Sequence, residues 1–404
     1  MAALMPVAEA LAHVLDGAAP LAPQSVPLEH ALGRVLAEDI AARRTQPPEA
    51  MSAMDGYAVR ASDTASVPVT LTVVGDVPAG HPFEGTVGPG QAARIFTGGV
   101  LPPGSDAVVI QENTVREGDR VTVQVTAALG RHVRAAGLDF RQGEVLLRKG
   151  TRLTGRDLML AAAMNYPALP VHRPPKVGIL ATGDELVPPG SDPGPCEIVY
   201  SNGFALTALA RTEGADVVDL GIVPDRIEAT VAAIRRARDA ACDVLVTTGG
   251  ASVGEHDIVQ QALAAEGLSL AFWRIALRPG KPMMHGHLGA MSVLGLPGNP
   301  VSSYVCAVLF LVPLLRRLAG RRDIHTEFED AVLARDLPAN DERADYLRAT
   351  LEEGPEGLPI AAPVPIQDSS MMAPLAQADC LVIRDPHAPA APAGTPCRII
   401  KLGL

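Results

Sequence analysis

Two glycine-rich segments carry the residue types suited to binding anionic groups. The first is Thr247–Asp257 (TTGGASVGEHD) and the second is Leu296–Ser303 (LPGNPVSS). Each follows a short apolar run that predicts a strand, and each precedes a stretch with helical periodicity. A strand, a glycine-rich turn and a helix N-terminus together form an anion site, because the backbone can approach a phosphate and unpaired N–H groups point at it. Two such turns predict a ligand with more than one anionic group.

Acidic side chains lie at the predicted strand ends of the same segment. Glu185 and Asp225 each follow a predicted strand, and Asp257 ends the first glycine-rich segment. The carboxyl ends of parallel strands share one edge of a sheet, where open α/β folds bind ligands. Carboxylates at this edge can hold a divalent cation that offsets phosphate charge. Helix capping is the alternative interpretation, above all for Asp257, and the role of Asp184 stays undecided.

The cations of the chain are mostly arginines, which makes one lysine conspicuous. Only four of the 34 Lys and Arg residues are lysines, and one of them, Lys281, lies in Arg278–Pro282 (RPGKP). A lysine retained where arginine is the usual cation suggests a need for a compact ammonium group, as in binding an oxyanion. A surface cation after a turn is the alternative interpretation.

Hydrophobic periodicity predicts the elements that would position these residues. From Lys176 to about Leu318 strands and helices alternate, which predicts a mainly parallel sheet with helices on both faces. The predicted strands are Val177–Ala181, Val217–Val223, Val244–Thr247 and Ser292–Leu296, and the predicted helices are Ala205–Glu213, Ile227–Ala240, Ile258–Glu266 and Val301–Leu318. The apolar run at the start of the last helix is too short to span a bilayer and predicts a buried helix.

The remaining parts of the chain are β-like, with a few helical stretches. Short β-like runs lie between Met51 and Leu129, with a hairpin turn at Arg116–Arg120, and β-like runs return after Arg322, where we expect a small barrel or sandwich. Apolar residues at helical spacing predict helices near 7–15, 28–36 and 158–164.

Composition excludes several classes of protein. A chain of 404 residues is long enough for several domains, and its net charge of −11 argues against a nucleic-acid partner. The five cysteines are odd in number and widely spaced, which matches neither a disulfide framework nor a zinc site and predicts a reducing cytoplasm. No secretory signal is visible at the N-terminus, and no membrane partner is expected.

Eight motifs in a fixed order carry a resemblance to a known family. They are Ser52–Ala58, Ile95–Gly99, Val133–Asp139, Ala181–Leu186, Tyr200–Asn202, Thr248–Asp257, Arg278–Pro282 and Pro297–Ser303. With these motifs the chain resembles, over nearly its full length, the molybdopterin molybdenumtransferases of the MoeA type and the E domain of gephyrin.

The resemblance implies a multidomain fold. It is an elongated, L-shaped chain of the α/β plus β class with a molybdopterin-binding parallel α/β sandwich, a mostly β insert domain and a small C-terminal β-barrel. The implied domains are 1–20 with 174–321 (molybdopterin-binding α/β), 21–45 with 131–173 (mixed linker or dimerisation), 46–130 (mostly β) and 322–404 (C-terminal β-barrel). Four-domain subunits of this type form a homodimer.

The resemblance also implies the last step of molybdenum cofactor synthesis. Adenylylated molybdopterin is hydrolysed, molybdate enters the dithiolene, and AMP is released. A divalent cation, usually Mg²⁺, is expected at the site. The implied partners are the molybdopterin adenylyltransferase that supplies the substrate and the apo-molybdoenzymes that receive the product. The choice between molybdate and tungstate stays open.

The residues and the resemblance together assign three sets of site residues. The catalytic set is Asp55, Thr97, Asp139, Glu185, Asp225 and Asp257, of which Glu185, Asp225 and Asp257 are also the metal ligands. The substrate-binding set is Ser201, Asn202, Gly249, Gly250, Ser252, Gly254, Arg274, Arg278, Lys281, Pro297, Gly298, Asn299, Pro300 and Ser302. The molybdate set is Lys281, Arg348, Ser369 and Ser370.

Several of these assignments have alternatives. In the family, Asp55, Thr97 and Asp139 face the α/β domain of the other subunit, whereas a role in a turn is the simpler interpretation. Arg274 and Arg278 stand where family members often carry lysine, which keeps the charge but changes the geometry. A satisfied surface arginine is the alternative for Arg348. The pair His285 and His287 is interpreted as surface imidazoles, because no third metal ligand accompanies them.

Two other classes of function stay open. An enzyme with the same α/β module could instead be a molybdopterin adenylyltransferase or a nucleotide pyrophosphatase, and a non-catalytic scaffold is a third class. The related adenylyltransferases have a single domain, so Ser52–Tyr57 and the domain beyond Arg322 favour the transferase. The presence of Glu185, Asp257 and Lys281 favours an enzyme over a scaffold.

Overall fold

The structure is a computed structural model of the 404-residue chain that describes residues 4–249, 258–354 and 357–402. Its N-terminal part contains α1 (Val7–Leu15), β1 (Pro23–Pro27), β2 (Ile40–Ala41), β3 (Met51–Ser52), β4 (Gly56–Val59), β5 (Val69–Val77), β6 (Gln91–Ile95), β7 (Ala107–Ile110), β8 (Thr114–Glu117), β9 (Arg120–Val123), β10 (Val133–Arg134), β11 (Val145–Leu147), α2 (Gly155–Ala163) and β12 (Ala168–His172). Strands β4 to β9 form one sheet in the order β7-β4-β6-β5-β9-β8, which includes the predicted β8–β9 hairpin.

The central part of the chain is the predicted α/β segment. It contains β13 (Lys176–Thr182), β14 (Leu186–Val187), β15 (Ile198–Val199), α3 (Asn202–Thr212), β16 (Asp216–Val223), α4 (Ile227–Asp239), β17 (Val244–Thr248), α5 (Ile258–Ala265), β18 (Ser269–Trp273), β19 (Leu277–Arg278), β20 (Met284–Leu288), β21 (Met291–Leu296), α6 (Pro300–Cys306) and α7 (Val312–Leu318). The sheet order is β16-β13-β17-β21-β20-β18. The first four strands are parallel, as predicted, and β20 and β18 add an antiparallel edge.

The inner strands are mainly apolar and fully buried because helices cover both faces of the sheet. Every residue of β17 and β21 is buried, as in parallel sheets packed on both sides. Helices α6 and α7 are joined by a π-helical turn, Ala307–Leu311, into one helix of 19 residues. This helix is long and apolar enough to cross a membrane, but 83% of its apolar window is buried inside the protein. It is the core helix of this segment, as the apolar run predicted.

The C-terminal part is a closed five-stranded barrel. It contains β22 (Glu329–Leu333), β23 (Ala344–Glu352), β24 (Ile360–Pro363), α8 (Met372–Ala376), β25 (Cys380–Arg384) and β26 (Pro396–Lys401). The strands follow the order β23-β24-β22-β26-β25, and β25 pairs again with β23 to close the ring. Strand β19 of the α/β segment pairs in parallel with β23, so the two parts share backbone hydrogen bonding. The predicted fold class is confirmed, and the domain limits stay a prediction.

The helix predicted near residues 28–36 is wrong. Residues Leu28–His30 form a single 3₁₀ turn, and Val35 and Leu36 make isolated β-bridges to Arg152 and Val171. Gly33 adopts a φ of 74°, which a helix interior does not allow. Val35 and Leu36 are buried in this loop and Leu32 is exposed, so the apolar spacing does not mark one face of a helix.

Candidate active site

A cavity of about 560 Å³ lies at the carboxyl ends of strands β13, β17 and β21. The predicted site residues that line it are Glu185, Ser201, Asn202, Gly249, Pro297, Gly298, Asn299, Pro300, Ser302 and Ser370. Both glycine-rich turns therefore open into one space, at the edge of the sheet where the sequence placed the ligand. Ser370 comes from the C-terminal part, so two parts of the chain build the cavity.

The two glycine-rich turns touch each other at the cavity floor. Gly249 has a φ of 90°, and a Cβ there would lie 2.5 Å from the carbonyl oxygen of Thr182. A Cβ on Gly298 would lie 3.7 Å from the Cα of Gly249. Asn202 donates from Nδ2 to the carbonyl oxygen of Gly298 at 2.7 Å and so holds the second turn. Only backbone without a side chain leaves this approach open to a ligand.

The N-terminus of the core helix begins at the cavity. Asn299 precedes Pro300, the first residue of α6, and proline is well suited to that first position. The segment from the barrel fixes this helix end. The Nδ2 group of Asn299 donates to the Ser369 Oγ at 2.9 Å, and the Val301 N–H donates to the Ser369 carbonyl at 3.1 Å. The positive end of the helix dipole therefore faces a site that is closed from the barrel side.

Three carboxylates gather beside the cavity. Asp184, Glu185 and Asp225 follow β13 and β16, and the Asp225 N–H donates to the Asp184 Oδ1 at 3.1 Å. Partial desolvation raises the pKa of Asp225, and the negative charges of Asp184 and Glu185 raise it further. Concentrated negative charge of this kind is relieved by a cation.

Comparison with known proteins bears on the whole chain. Residues 5–165 match the model described as MoeA N-terminal region (domain I and II), residues 178–317 match that described as probable molybdopterin binding domain, and residues 330–402 match that described as MoeA C-terminal region (domain IV). The chain belongs to the MoeA family.

Individual relatives agree with this assignment. A protein of Bacillus subtilis named molybdopterin molybdenumtransferase is 36% identical over 366 residues, covering 89% of this chain and 85% of its own. One of the same name from Nostoc is 41% identical over 302 residues, covering 73% and 69%. The solved structure of a molybdopterin biosynthesis MoeA protein from Pyrococcus horikoshii superposes with a TM-score of 0.84 at 30% identity, covering 99% of this chain and 100% of that one.

The metal ligands predicted for a MoeA-type site are described only in part. Asp257 lies outside the described residues, as do Gly250, Ser252 and Gly254 of the same loop. Among residues 4–249, 258–354 and 357–402, no group of three His, Cys, Asp or Glu side chains has metal-binding geometry. Because Mg²⁺ is usually held by one or two carboxylates with water, Glu185 and Asp225 still fit such an ion.

Arg348 is one of the most deeply buried side chains of the structure, at 1% exposure. Its guanidinium donates to the Met371 carbonyl at 2.9 Å, to the Gln367 Oε1 at 3.3 Å and to the Ile366 carbonyl at 3.4 Å. Burial lowers its pKa, and Asp368 opposes this effect. The alternative of a surface arginine is therefore wrong. Arg348 supports the same segment, residues 366–371, that places Ser370 at the cavity.

None of the other predicted cationic side chains, Lys281, Arg274 and Arg278, lines this cavity. Lys281 is exposed and directly precedes Pro282, which lines it. The guanidinium carbon of Arg274 lies 5.0 Å from the ring centroid of Trp273, and Arg274 does not line the cavity. Arg278 lines a separate cavity of about 410 Å³ and is bonded to side chains of the C-terminal part.

Asp55 and Thr97 form one unit in the N-terminal sheet region. The Asp55 Oδ1 accepts the Thr97 N–H at 2.7 Å and the Thr97 Oγ1 at 2.8 Å. These two hydrogen bonds lower the pKa of Asp55. Asp139 is exposed, and its N–H donates to the Gln46 carbonyl at 3.0 Å. None of these three side chains lines the cavity within the single chain.

Eight residues that line the cavity were not among the predicted site residues: Thr182, Leu186, Ile198, Val199, Tyr200, Thr248, Pro282 and Met372. Thr182 and Thr248 end the neighbouring strands β13 and β17, and this position could have signalled them. The Thr182 Oγ1 is buried with no hydrogen-bond partner among the described residues, as expected of a group that meets a ligand. Burial raises the pKa of Tyr200 to about 12, so it stays a neutral phenol.

The interpretation of His285 as a surface imidazole is wrong. It is fully buried in the β20–β21 hairpin, where its ring centroid lies 5.7 Å from that of Phe272. Its Nε2 lies 3.1 Å from the Ser292 Oγ, and the ring centroids of His285 and His287 are 4.9 Å apart. Burial and the neighbouring imidazoles of His287 and His13 lower its pKa to about 4.

Proposed function

We propose that this protein is a molybdopterin molybdenumtransferase that inserts molybdate into adenylylated molybdopterin and releases AMP. The observation that carries the proposal is the contact between the Gly249 and Gly298 turns in one cavity, beside a helix N-terminus and a group of carboxylates. Membership of the MoeA family supports the same activity. A pyrophosphate joins the two halves of this substrate and supplies the two anionic groups that the two turns predict.

The two turns hold the pyrophosphate. Backbone N–H groups of the turns donate to its oxygens, and the dipole of the helix that begins at Pro300 favours its charge. The Ser201 and Asn202 pair at the start of α3 lines the same cavity as Pro300 at the start of α6, so both helices begin at the proposed ligand site. The pterin and the adenosine extend from this point. Orientation of the reacting groups accounts for much of the rate advantage in transfer reactions of this type.

A divalent cation, Mg²⁺, binds at Glu185 and Asp225, with Asp257 as a further ligand. The support is the chemistry of the donors, which are hard carboxylate oxygens. Partial desolvation, and then the charges of Asp184 and Glu185, raise the pKa of Asp225. When bound, such an ion offsets negative charge on the phosphates during cleavage of the P–O bond. The chain itself orients the pyrophosphate and keeps Tyr200 neutral beside it.

Molybdate binds as a substrate where the barrel meets the cavity. Ser369 offers a hydroxyl there, and Ser370 lines the cavity with its hydroxyl donating to the Asp368 Oδ1 at 2.6 Å. Lys281 offers an ammonium group on the adjoining loop, and the buried charge of Arg348 lies behind the segment. Arg348 contacts only uncharged acceptors among the described residues, so its charge is not neutralised locally by direct contact. A dianion is attracted to a cation of this kind.

A homodimer completes the site. Asp55, Thr97 and Asp139 do not line the cavity of their own chain, and an exposed apolar residue directly precedes each of them in the sequence. Met54 is 41% exposed, Phe96 38% and Leu138 64%. An apolar patch around polar groups is typical of an interface, and across it Asp55 and Asp139 shape the metal-insertion site of the other subunit. A folded, dimeric Asp55→Ala variant with normal cofactor formation would contradict this role.

The expected setting is the cytoplasm. All five cysteines are free, which is compatible with a reducing compartment. The chain receives its substrate from a molybdopterin adenylyltransferase and passes its product to apo-molybdoenzymes.

The test is incubation of the purified protein with adenylylated molybdopterin, Mg²⁺ and molybdate, with AMP release and reconstitution of an apo-molybdoenzyme as the two readouts. Molybdate-dependent AMP release with active cofactor is expected. AMP release without insertion would instead identify a pyrophosphatase. Tight substrate binding with neither product would identify a carrier or scaffold.

A further inference from the structure

Arg278 makes four hydrogen bonds, all of them to side chains of the C-terminal part. Its Nε and Nη2 contact the two carboxylate oxygens of Asp345 at 2.6 and 2.5 Å. Its Nη1 contacts the Asp341 Oδ2 at 2.8 Å, and Nη2 also contacts the Asn340 Oδ1 at 2.8 Å. This planar fork is used in a way that a lysine ammonium cannot reproduce.

The acceptors of Arg278 are themselves fixed. The Asp345 side chain is only 9% exposed, and the Asp341 Oδ1 accepts the Arg343 N–H at 3.0 Å. The Asn340 Nδ2 donates to the Arg343 carbonyl at 2.8 Å and to the Asp385 carbonyl at 3.0 Å. The hydrogen bond to Asp345 raises the pKa of Arg278, as expected for a permanently charged partner. The guanidinium is therefore held against a rigid corner of the barrel.

The backbone at the same point joins the two parts of the chain. Strand β19 pairs with β23 so that Arg278 lies opposite Asp345, and the Ala344 N–H donates to the Ala276 carbonyl at 2.9 Å. Lys281 follows Arg278 by three residues on one segment. Arg348 follows Asp345 by three residues on the other. The ion pair thus connects the two segments that carry the proposed molybdate cations.

We infer that Arg278 is a positioning residue, which sets the distance between Lys281 and the Arg348–Ser370 side of the pocket, and that it does not itself bind molybdate. This inference rests on the proposed function. It gives a physical reason for arginine at this position: Asp341, Asp345 and Asn340 present a set of acceptors that only a guanidinium can bridge.

Two single substitutions separate this role from direct binding. In Arg278→Lys the charge stays but the fork is lost, and in Asp345→Asn the guanidinium stays but its bidentate partner is lost. If Arg278 positions the pocket, both variants raise the KM for molybdate by about tenfold, because a small displacement of binding groups is costly. The affinity for adenylylated molybdopterin measured without molybdate stays within about twofold of the wild type in both.

A direct ligand role predicts a different pattern. Arg278→Lys would then keep the molybdate KM near that of the wild type, and Asp345→Asn, which frees the guanidinium, would leave it unchanged or lower it. Either result overturns the inference. Glu329→Gln is the matched control, because it breaks an exposed ion pair with Lys401 (2.7 Å) in the same barrel, away from the Arg278 contacts. Its molybdate KM should equal that of the wild type.

A readout without turnover keeps the inference separate from the proposed function. Amide hydrogen exchange of the full-length protein in the segment 343–349 should be faster in Arg278→Lys and Asp345→Asn than in Glu329→Gln. Unchanged exchange in both variants overturns the inference whatever the enzyme does. If the wild type shows no molybdate-dependent AMP release while exchange rises as expected, the proposed function fails and the connecting role of Arg278 stands.

Discussion

The carbonyl oxygen of Thr182 lies 2.5 Å from the point where a Cβ on Gly249 would be placed. The ends of β13 and β17 therefore approach each other more closely than any residue with a side chain allows. The first glycine-rich turn owes its position to this contact, and the second turn, at Gly298, packs on the first.

Gly249→Ala should damage the site more than the fold. The left-handed φ of 90° costs about 1 kcal/mol with a side chain present, and the contact with Thr182 adds to it by displacing the turn. We expect the affinity for adenylylated molybdopterin to fall by about 100-fold. Binding calorimetry and urea unfolding measure the two effects separately.

Gly267→Ala is the matched control for this prediction. Gly267 has nearly the same φ, 88°, but nothing lies within 4 Å of its Cβ position. It should show the same loss of about 1 kcal/mol in the free energy of unfolding and normal substrate affinity. Equal substrate affinity in the two variants would show that the turn does not bind the ligand.

Asp225→Asn should stabilise the protein when no metal is present. The pKa of Asp225 is raised from 3.8 in the folded protein, so at higher pH the folded state carries a carboxylate that the unfolded state accommodates better. The penalty begins as pH rises through 3.8, is complete above the folded pKa, and is absent below 3.8. Because the side chain is exposed, we expect a gain of only a few tenths of a kcal/mol at pH 7.

Bound Mg²⁺ should make the wild type more stable than Asp225→Asn, the reverse of the order without metal. In urea unfolding at pH 7, saturating Mg²⁺ should raise the free energy of unfolding of the wild type more than that of Asp225→Asn, because the variant loses a metal ligand. Asp192→Asn, an exposed carboxylate in the loop after β14, is the control and should respond to Mg²⁺ as the wild type does. Identical Mg²⁺ responses in all three proteins would remove Asp225 from the metal site.

The α/β segment could be predicted from the sequence because its strands are continuous apolar runs buried on both faces. Strands β13, β17 and β21 therefore appear in the sequence as mainly apolar stretches between turn signals. The loop around Gly33 could not be predicted in this way. Its apolar residues have helical spacing by chance: Val35 and Leu36 are buried and form single bridges to residues far along the chain, whereas Leu32 is exposed.

In the site too, local sequence patterns could be predicted, whereas contacts between residues far apart in the sequence could not. The two glycine-rich turns are local signals, and the structure brings both to one cavity. The groups that fix them are distant: Asn202 and Gly298 are 96 residues apart, and Asn299 and Ser369 are 70 apart. Arg278 and Asp345, which form an ion pair, are 67 residues apart. No short-range pattern specifies such partners, so their roles require the three-dimensional fold.

His285 should make the protein sensitive to acid. Its folded pKa of about 4 lies below the ordinary value of 6.5, so the unfolded state takes up a proton first as the pH falls. Stability is therefore full above pH 6.5 and is lost between pH 6.5 and pH 4, by up to about 3 kcal/mol. Urea midpoints measured across this range test the effect.

His285→Gln removes the imidazole and keeps a group able to bond to Ser292. The variant should lose less stability than the wild type between pH 6.5 and pH 4, even if its stability at pH 7 is lower. His81→Gln replaces an exposed histidine and should follow the wild-type curve. An unchanged acid response in His285→Gln would place the pH sensitivity in other groups.

Arg348 should matter for both the barrel and the molybdate site. In Arg348→Met, the Met371 and Ile366 carbonyls lose the guanidinium donor, and the Gln367 Oε1 keeps only the backbone N–H of residue 348, which should lower the free energy of unfolding by about 2–4 kcal/mol. Arg348→Lys keeps the charge but cannot reach all three acceptors, so it should recover part of the stability. Its KM for molybdate should still exceed the wild-type value by about tenfold, because the segment that carries Ser370 is no longer held.

Arg398→Lys, the control, alters an exposed arginine of the same barrel and should leave the free energy of unfolding and the molybdate KM unchanged. A stable Arg348→Met variant with a wild-type molybdate KM would show that the buried guanidinium serves neither the fold nor the site.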